Sequence, residues 1–206
     1  ERLGERLVVT LNGVGYKQEL LKRLDVTDFD TPIKYVDTKS SNNQLTNLPN
    51  LPFNLNKLGC GVNNLTSIPT LPDYLAEFYC ESNQLTSLPS LPLNLVNLQF
   101  NNNQITSCPS LPSTLTWLYC SSNPLMSLPT LPTSLGTLIC ENNQLTNLPA
   151  LPSALLELKC SQNQLTVLPI MPGNLMRLYC FSNQLINLPA LPNTIIDLQC
   201  GYNLLT

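Results

Sequence analysis

Apolar residues return along this chain at a fixed step. In residues 51–70, LPFNLNKLGCGVNNLTSIPT, they occupy positions 51, 55, 58, 60, 65 and 68, and the pattern repeats 20 residues later. A constant step of roughly 20–50 residues marks a solenoid, in which each unit buries its apolar face against its two neighbours. Within the unit, Lys57–Cys60 alternates, with Leu58 and Cys60 facing one way and Lys57 and Gly59 the other. Period-two alternation over so short a run predicts a strand of a few residues. Two prolines follow, Pro69 and Pro72. Proline has no N–H to donate and forces its predecessor into an extended conformation. The return leg is therefore predicted to be extended or polyproline-like rather than helical. No insertion breaks the step over about eight units.

Single residue types mark the columns of this array. Asn recurs from Asn43 to Asn203, and prolines recur from Pro49 to Pro189 and from Pro52 to Pro192. Cys60, Cys80, Cys120, Cys140, Cys160, Cys180 and Cys200 share one column, and Phe100 fills its gap. A buried Cys behaves as a small hydrophobe. Replacement by Phe fits a packing slot, whereas a ligand or cross-link position would not accept it. Cys108 stands in another core column, the one held by Leu48 and Leu88. Disulfides between adjacent turns are the competing reading, since strands about 4.8 Å apart bring Cα atoms into range. Side-by-side thiols pointing inward have poor geometry for such a bridge. The chain has no CxxC pair and no His, so neither a metal site nor an activated catalytic thiol is expected. A row of free thiols favours a reducing compartment, either the cytoplasm or a host cytoplasm into which the protein is delivered.

Charge divides the chain near residue 40. Residues 1–40 hold 7 Lys/Arg and 7 Asp/Glu, while residues 41–206 hold only Lys57, Lys159 and Arg177 against Asp73, Glu77, Glu81, Glu141, Glu157 and Asp197. Residues 1–40 are read as a small N-terminal α/β capping segment and 41–206 as the repeat array. In the cap, RLVVTLNGVG alternates around Asn12-Gly13, a hairpin signal, and Tyr16–Leu24 reads as a short amphipathic helix. Residues from about 31 read as a degenerate first unit, with Pro32 in register with Pro52. At the other end, Asn203-Leu204-Leu205-Thr206 closes the chain in mid-unit. Solenoid ends need caps, so a further domain or subunit is expected over this end. A net charge of −3 with 11% charged residues does not steer nucleic acid, and no run of 18 apolar residues predicts a membrane span. The Asn64-Leu65-Thr66 sequon is read as chance, because most units carry Gln in place of Asn64.

The pattern LxxLxCxxNxLTxLPxLPxx, closely followed over residues 45–206, resembles the leucine-rich repeat. Its 20-residue unit and LPxLP leg are similar to the short bacterial subtype of YopM- and IpaH-type effectors. The resemblance implies a mainly β repeat solenoid with a parallel sheet on its concave side. It also implies an Asn ladder bonding backbone groups of adjacent turns, which buried N–H and C=O groups require.

Solenoids bind through the exposed sheet face, so the outward strand positions carry the information. One column reads Lys57, Glu77, Asn97, Trp117, Thr137, Glu157, Arg177, Asp197, and the next reads Gly59, Tyr79, Gln99, Tyr119, Ile139, Lys159, Tyr179, Gln199. Glu81, Asn101, Glu141 and Phe181 begin a third. Trp117, Tyr119 and Ile139 form an apolar centre flanked by Tyr79, Tyr179 and Phe181. Tyr, Trp and Arg are enriched at interface hot spots. The candidate partner-binding residues are therefore Tyr79, Trp117, Tyr119, Ile139, Lys159, Arg177, Tyr179 and Phe181. The rival reading is ordinary sheet surface, where aromatics are favoured anyway. Glu157, Arg177 and Asp197 on successive turns, and Lys57 beside Glu77, are expected to pair across strands and stabilise the sheet by roughly 0.2–1 kcal/mol each.

No catalytic residue, cofactor or metal ligand is assigned: the chain has no His, no glycine-rich phosphate loop and no GxSxG. Glu77 and Glu157 stand four turns apart, on the order of 19 Å, too far for a glycosidase pair. The expected function is a non-enzymatic module that binds a protein partner on the concave face. The alternatives are a structural subunit of a larger assembly, or the substrate-recognition part of a larger enzyme such as a ubiquitin-ligase effector.

Overall fold

The computed structural model describes residues 8–10, 35–37 and 44–206. Ten three-residue strands form one sheet in strict chain order. They are β1 (Val8–Thr10), β2 (Tyr35–Asp37), β3 (Lys57–Gly59), β4 (Glu77–Tyr79), β5 (Asn97–Gln99), β6 (Trp117–Tyr119), β7 (Thr137–Ile139), β8 (Glu157–Lys159), β9 (Arg177–Tyr179) and β10 (Asp197–Gln199). Every pairing is parallel, and from β3 onward each residue faces the one 20 positions away. The described residues contain no helix, so the return legs are non-helical as the prolines predict.

One unit shows how the pattern becomes a turn of the solenoid. Leu75, Phe78 and Cys80 point inward and are fully buried, as are Leu95, Leu98 and Phe100 one turn on. After the strand the chain bends, and Leu85 re-enters the core. The return leg packs Leu88 and Leu91 against the same core. A tight turn then closes the unit, the Leu95 N–H donating to the Pro92 carbonyl at 3.2 Å. Full burial of each such Leu contributes roughly 1.5–3 kcal/mol relative to exposure.

The Asn column forms the ladder that holds successive bends together. Asn123 Oδ1 accepts the N–H of Ile105 at 3.0 Å, while Nδ2 donates to the carbonyls of Phe100 and Cys120 at 3.1 and 3.2 Å. The same bonds recur from Asn63 to Asn203 wherever the neighbouring turn is described; Asn43 lies outside the described residues. The residue before each of these Asn adopts a left-handed backbone, with φ between 52° and 57°, and none of them is Gly. Such a conformation costs roughly 1–2 kcal/mol for an ordinary L-residue, and more trouble still for a β-branched one. Val62, at φ 57°, is the worst case. Val62→Asn is expected to raise stability by about 0.5–1 kcal/mol, read as a higher urea midpoint at unchanged slope.

The thiols are packing groups. Cys108, Cys120, Cys140, Cys160, Cys180 and Cys200 are free, and Cys60, Cys80, Cys120, Cys140, Cys160 and Cys180 are buried. Burial raises the pKa of Cys120, Cys140 and Cys160 well above the ordinary thiol value, and that of Cys108 and Cys180 to about 12. Phe100, fully buried between the turns of Cys80 and Cys120, fits because both neighbours in its column are small.

At the ends, one reading changes and another is left untested. The Asn12-Gly13 hairpin turn and the Tyr16–Leu24 helix lie outside the described residues. Within the described part, β1 runs parallel to β2 at the edge of the sheet, so the N-terminal segment contributes two strands to the solenoid. The degenerate first unit is also longer than Pro32 suggests. Tyr35 pairs with Lys57, a separation of 22 residues rather than 20, so this strand begins two residues earlier than in-register prolines would place it. At β10 the inward Leu198 is 38% exposed, whereas its counterpart Leu178 is fully buried.

Candidate functional site

Strand alternation leaves one face of the sheet open. Its columns begin at Lys57, Gly59 and Gly61 and step by 20 residues. Of the nine charged residues in 44–206, eight fall in these three columns, and only Asp73, in an exposed turn, lies elsewhere. This concentration was present in the sequence, but counting charge by segment rather than by column hid it. A charged side chain costs nothing on any solvated surface, so packing alone does not explain its confinement to one face.

The aromatic residues divide into two groups. Trp117 and Tyr119, two residues apart on β6, bring their ring centroids to 5.9 Å at a tilt of 32°. Trp117 is 51% exposed, the most open aromatic residue of strands β3 to β10. Tyr79, two strands away, faces this pair across a shallow hollow of about 340 Å³ floored by Asn97, Leu98 and Gln99. The hollow exists because β5 carries two amides where its neighbours carry rings. Asn97 and Gln99 were not among the residues picked out as candidates, since an amide in a polar column gives no signal until its neighbours are known. Ile139 stands beside Tyr119 in register.

Tyr179 and Phe181 lie beyond, on β9 and just after it, separated from Tyr119 by the turns of Ile139 and Lys159. Tyr179 is held by its neighbours: Lys159 Nζ sits 4.9 Å from its ring centroid and its hydroxyl donates to Asp197. That bond to Asp197 raises the Tyr179 pKa above its ordinary value. Tyr79 has a similar setting, with Lys57 Nζ 5.1 Å from the ring and the hydroxyl donating to Glu77 at 2.8 Å.

The ion pairs differ in part from the cross-strand scheme. Lys57 and Glu77 pair across β3 and β4 at 2.8 Å, as their adjacency predicts. Burial works to raise the Glu77 pKa, but Lys57 and the Tyr79 hydroxyl outweigh it and hold the carboxyl below the usual value. Glu157, in contrast, pairs with Lys159 on its own strand at 3.3 Å rather than with Arg177 across the ladder. Side chains two apart on a strand share a face, and Asp197 is already taken by Tyr179, so the expected run of three charges does not form. Arg177 is exposed and makes no ion pair among the described residues.

Between β4 and β8 the face carries Glu77, Glu81, Glu141 and Glu157 against a single base, Lys159. Burial raises the Glu141 pKa, with Lys159 opposing. Tyr119 is raised as well, first by burial and then by the negative charge of Glu157. No group of three or more Cys, Asp or Glu residues suited to a metal occurs among the described residues, and no helix among them is long and apolar enough to cross a membrane.

Comparison with known proteins places this geometry. Residues 3–47, overlapping the charge-rich N-terminal segment, match the AMIN domain. No curated protein matches the chain. Among solved structures, YopM from Yersinia enterocolitica WA-314 is similar at 32% identity and a TM-score of 0.75, covering 85% of this chain and 43% of that one. YopM from Yersinia pestis, described as a leucine-rich effector protein, is similar at 33% identity and 0.70, covering 82% and 54%. The leucine-rich-repeat domain of a Shigella effector follows at 29% identity and 0.58, covering 87% and 71%. The chain thus spans about half the length of the two YopM chains.

Proposed function

Because the chain is a leucine-rich-repeat solenoid of the short bacterial type, we propose that it is a non-enzymatic protein-interaction module that engages its partner on the concave face of the sheet. The observation that carries this reading is the confinement of eight of nine array charges to the face that also holds Trp117, Tyr119, Tyr79 and Tyr179. Aromatic residues supply contact area, and surrounding charges set register and exclude wrong partners. The scaffold supports it: the strands are pinned by a continuous backbone ladder and a buried Asn column, so little rearrangement is needed on binding. By analogy with the effectors it is similar to, the partner is a host protein.

The test is capture of a partner by the full chain and by the variant Trp117→Ala/Tyr119→Ala/Tyr179→Ala. A control changes exposed residues off this face, Leu93→Ser and Ile170→Ser. The expected result is a protein retained by the wild type and the control and lost by the triple variant, with all three unfolding at similar urea concentrations. Equal capture by all three would remove the face from consideration and bring forward assembly through the solenoid ends.

A further inference from the structure

We propose that the hollow between Tyr79 and the Trp117–Tyr119 pair is a cation-binding subsite that receives a guanidinium or ammonium side chain of the partner. This deepens the reading of the concave face as the interaction surface and rests on it.

Three observations converge on a cation. The first is the lining. Three electron-rich rings and two amides surround one open depression, and Trp and Tyr faces attract a cation placed within about 6 Å of the ring centroid. The side-chain carbonyls of Asn97 and Gln99, at its floor, are acceptors for N–H donors. Second, the rings of this face already hold cations: Lys57 lies over Tyr79 and Lys159 over Tyr179. Trp117 and Tyr119, the pair on the far side of the hollow, have no lysine or arginine placed over them among the described residues. The third is the field. Glu77 and Glu81 flank the hollow on one side and Glu141 and Glu157 on the other, four acids against two bases, Lys57 bonded to Glu77 and Lys159 bonded to Glu157. Charge at these separations falls within about one Debye length at physiological salt, so the potential over the rings is negative. An anionic or plain apolar group would meet that field unfavourably or indifferently. An arginine would stack its plane on Trp117 and direct its N–H groups to the amides; a lysine or a quaternary ammonium would use the rings alone.

The probes are blocked pentapeptides Gly-Gly-X-Gly-Gly with X arginine, lysine, trimethyl-lysine or citrulline, titrated into the full chain. Trp117 is the sole tryptophan, so its fluorescence reports the hollow directly. The expected result is a saturable change with the cationic peptides, at roughly tenfold lower concentration than with citrulline, which has the shape of arginine without its charge. Arginine tightest assigns a guanidinium, and trimethyl-lysine tightest assigns a quaternary ammonium. Tyr79→Leu should abolish the difference between arginine and citrulline, and Glu141→Gln should reduce it, with folding checked by urea midpoint. Citrulline binding as well as arginine, no response to any peptide, or a preference unmoved by Tyr79→Leu would each overturn the subsite. None of those results would touch the concave-face reading, which stands or falls on the capture experiment.

Discussion

Asn123→Ala is expected to destabilise the protein by about 2 kcal/mol, the effect of stranding one buried donor and taking one of two donors from each of two buried carbonyls. The Ile105 N–H loses its acceptor in an interior that water does not reach, while the carbonyls of Phe100 and Cys120 keep the donors that Asn103 and Asn143 supply. Asn203→Ala is the internal control. Its bonds to Leu185, Cys180 and Cys200 are similar in length, but they lie at an end where the surroundings are only partly buried. There water takes over, and the loss should be nearer 1 kcal/mol. Urea unfolding of both variants measures the contrast. Equal losses would mean that the ladder is not the source of the stability assigned to it. Position adds a second signature. In a one-dimensional array, weakening a middle unit uncouples the two sides, so Asn123→Ala should also lower the denaturant slope, whereas Asn203→Ala should not.

The second large effect concerns the thiols. With an excess of a thiol reagent at pH 8, Cys60, Cys80, Cys120, Cys140, Cys160 and Cys180 should react at least ~1,000-fold more slowly in the native protein than in urea. Access to them requires an opening that costs about 4 kcal/mol or more, and all six are fully buried. Cys200, partly exposed just after the last strand, should react first. Cys108 should be slow despite its partial exposure, because burial pushes its thiol up to about 12 and leaves almost no thiolate at pH 8. Mass spectrometry of the modified sites against time gives each rate. Reaction of several ladder thiols at the unfolded rate would end the account of this column as packing.

Most of the fold was legible because one local pattern is repeated with so little variation. The alternation at Lys57–Cys60, the prolines that forbid a helix, and the Asn column each predict one feature, and each recurs in every unit. Where repetition fails, so does the reading. The first unit carries only Pro32 as a marker, and its strand pairs at a step of 22 rather than 20. The left-handed residues gave little sign: Ser and Asn hold most of these positions, but Val62, Gln162 and Tyr202 take the same conformation just before a ladder Asn. At the candidate site, single residues were legible and their relations were not. Trp117 and Tyr119 could be named from alternation, but the hollow depends on what β5 lacks. The choice of Lys159 over Arg177 by Glu157 depends on side-chain reach, which a column of letters does not encode.

The constant step also governs which changes of length the protein tolerates. With β3 to β10 all in phase, removing or duplicating one whole unit carries every Asn, Pro and inward Leu onto an equivalent position. A change of other length must be absorbed within one unit, as the 22-residue step between β2 and β3 is, or it puts the Asn and inward Leu columns out of phase at the cut. Whole repeats are therefore the units in which the open sheet face lengthens or shortens most readily. Each such step would move Trp117 relative to the charged residues of the face without altering the scaffold beneath it.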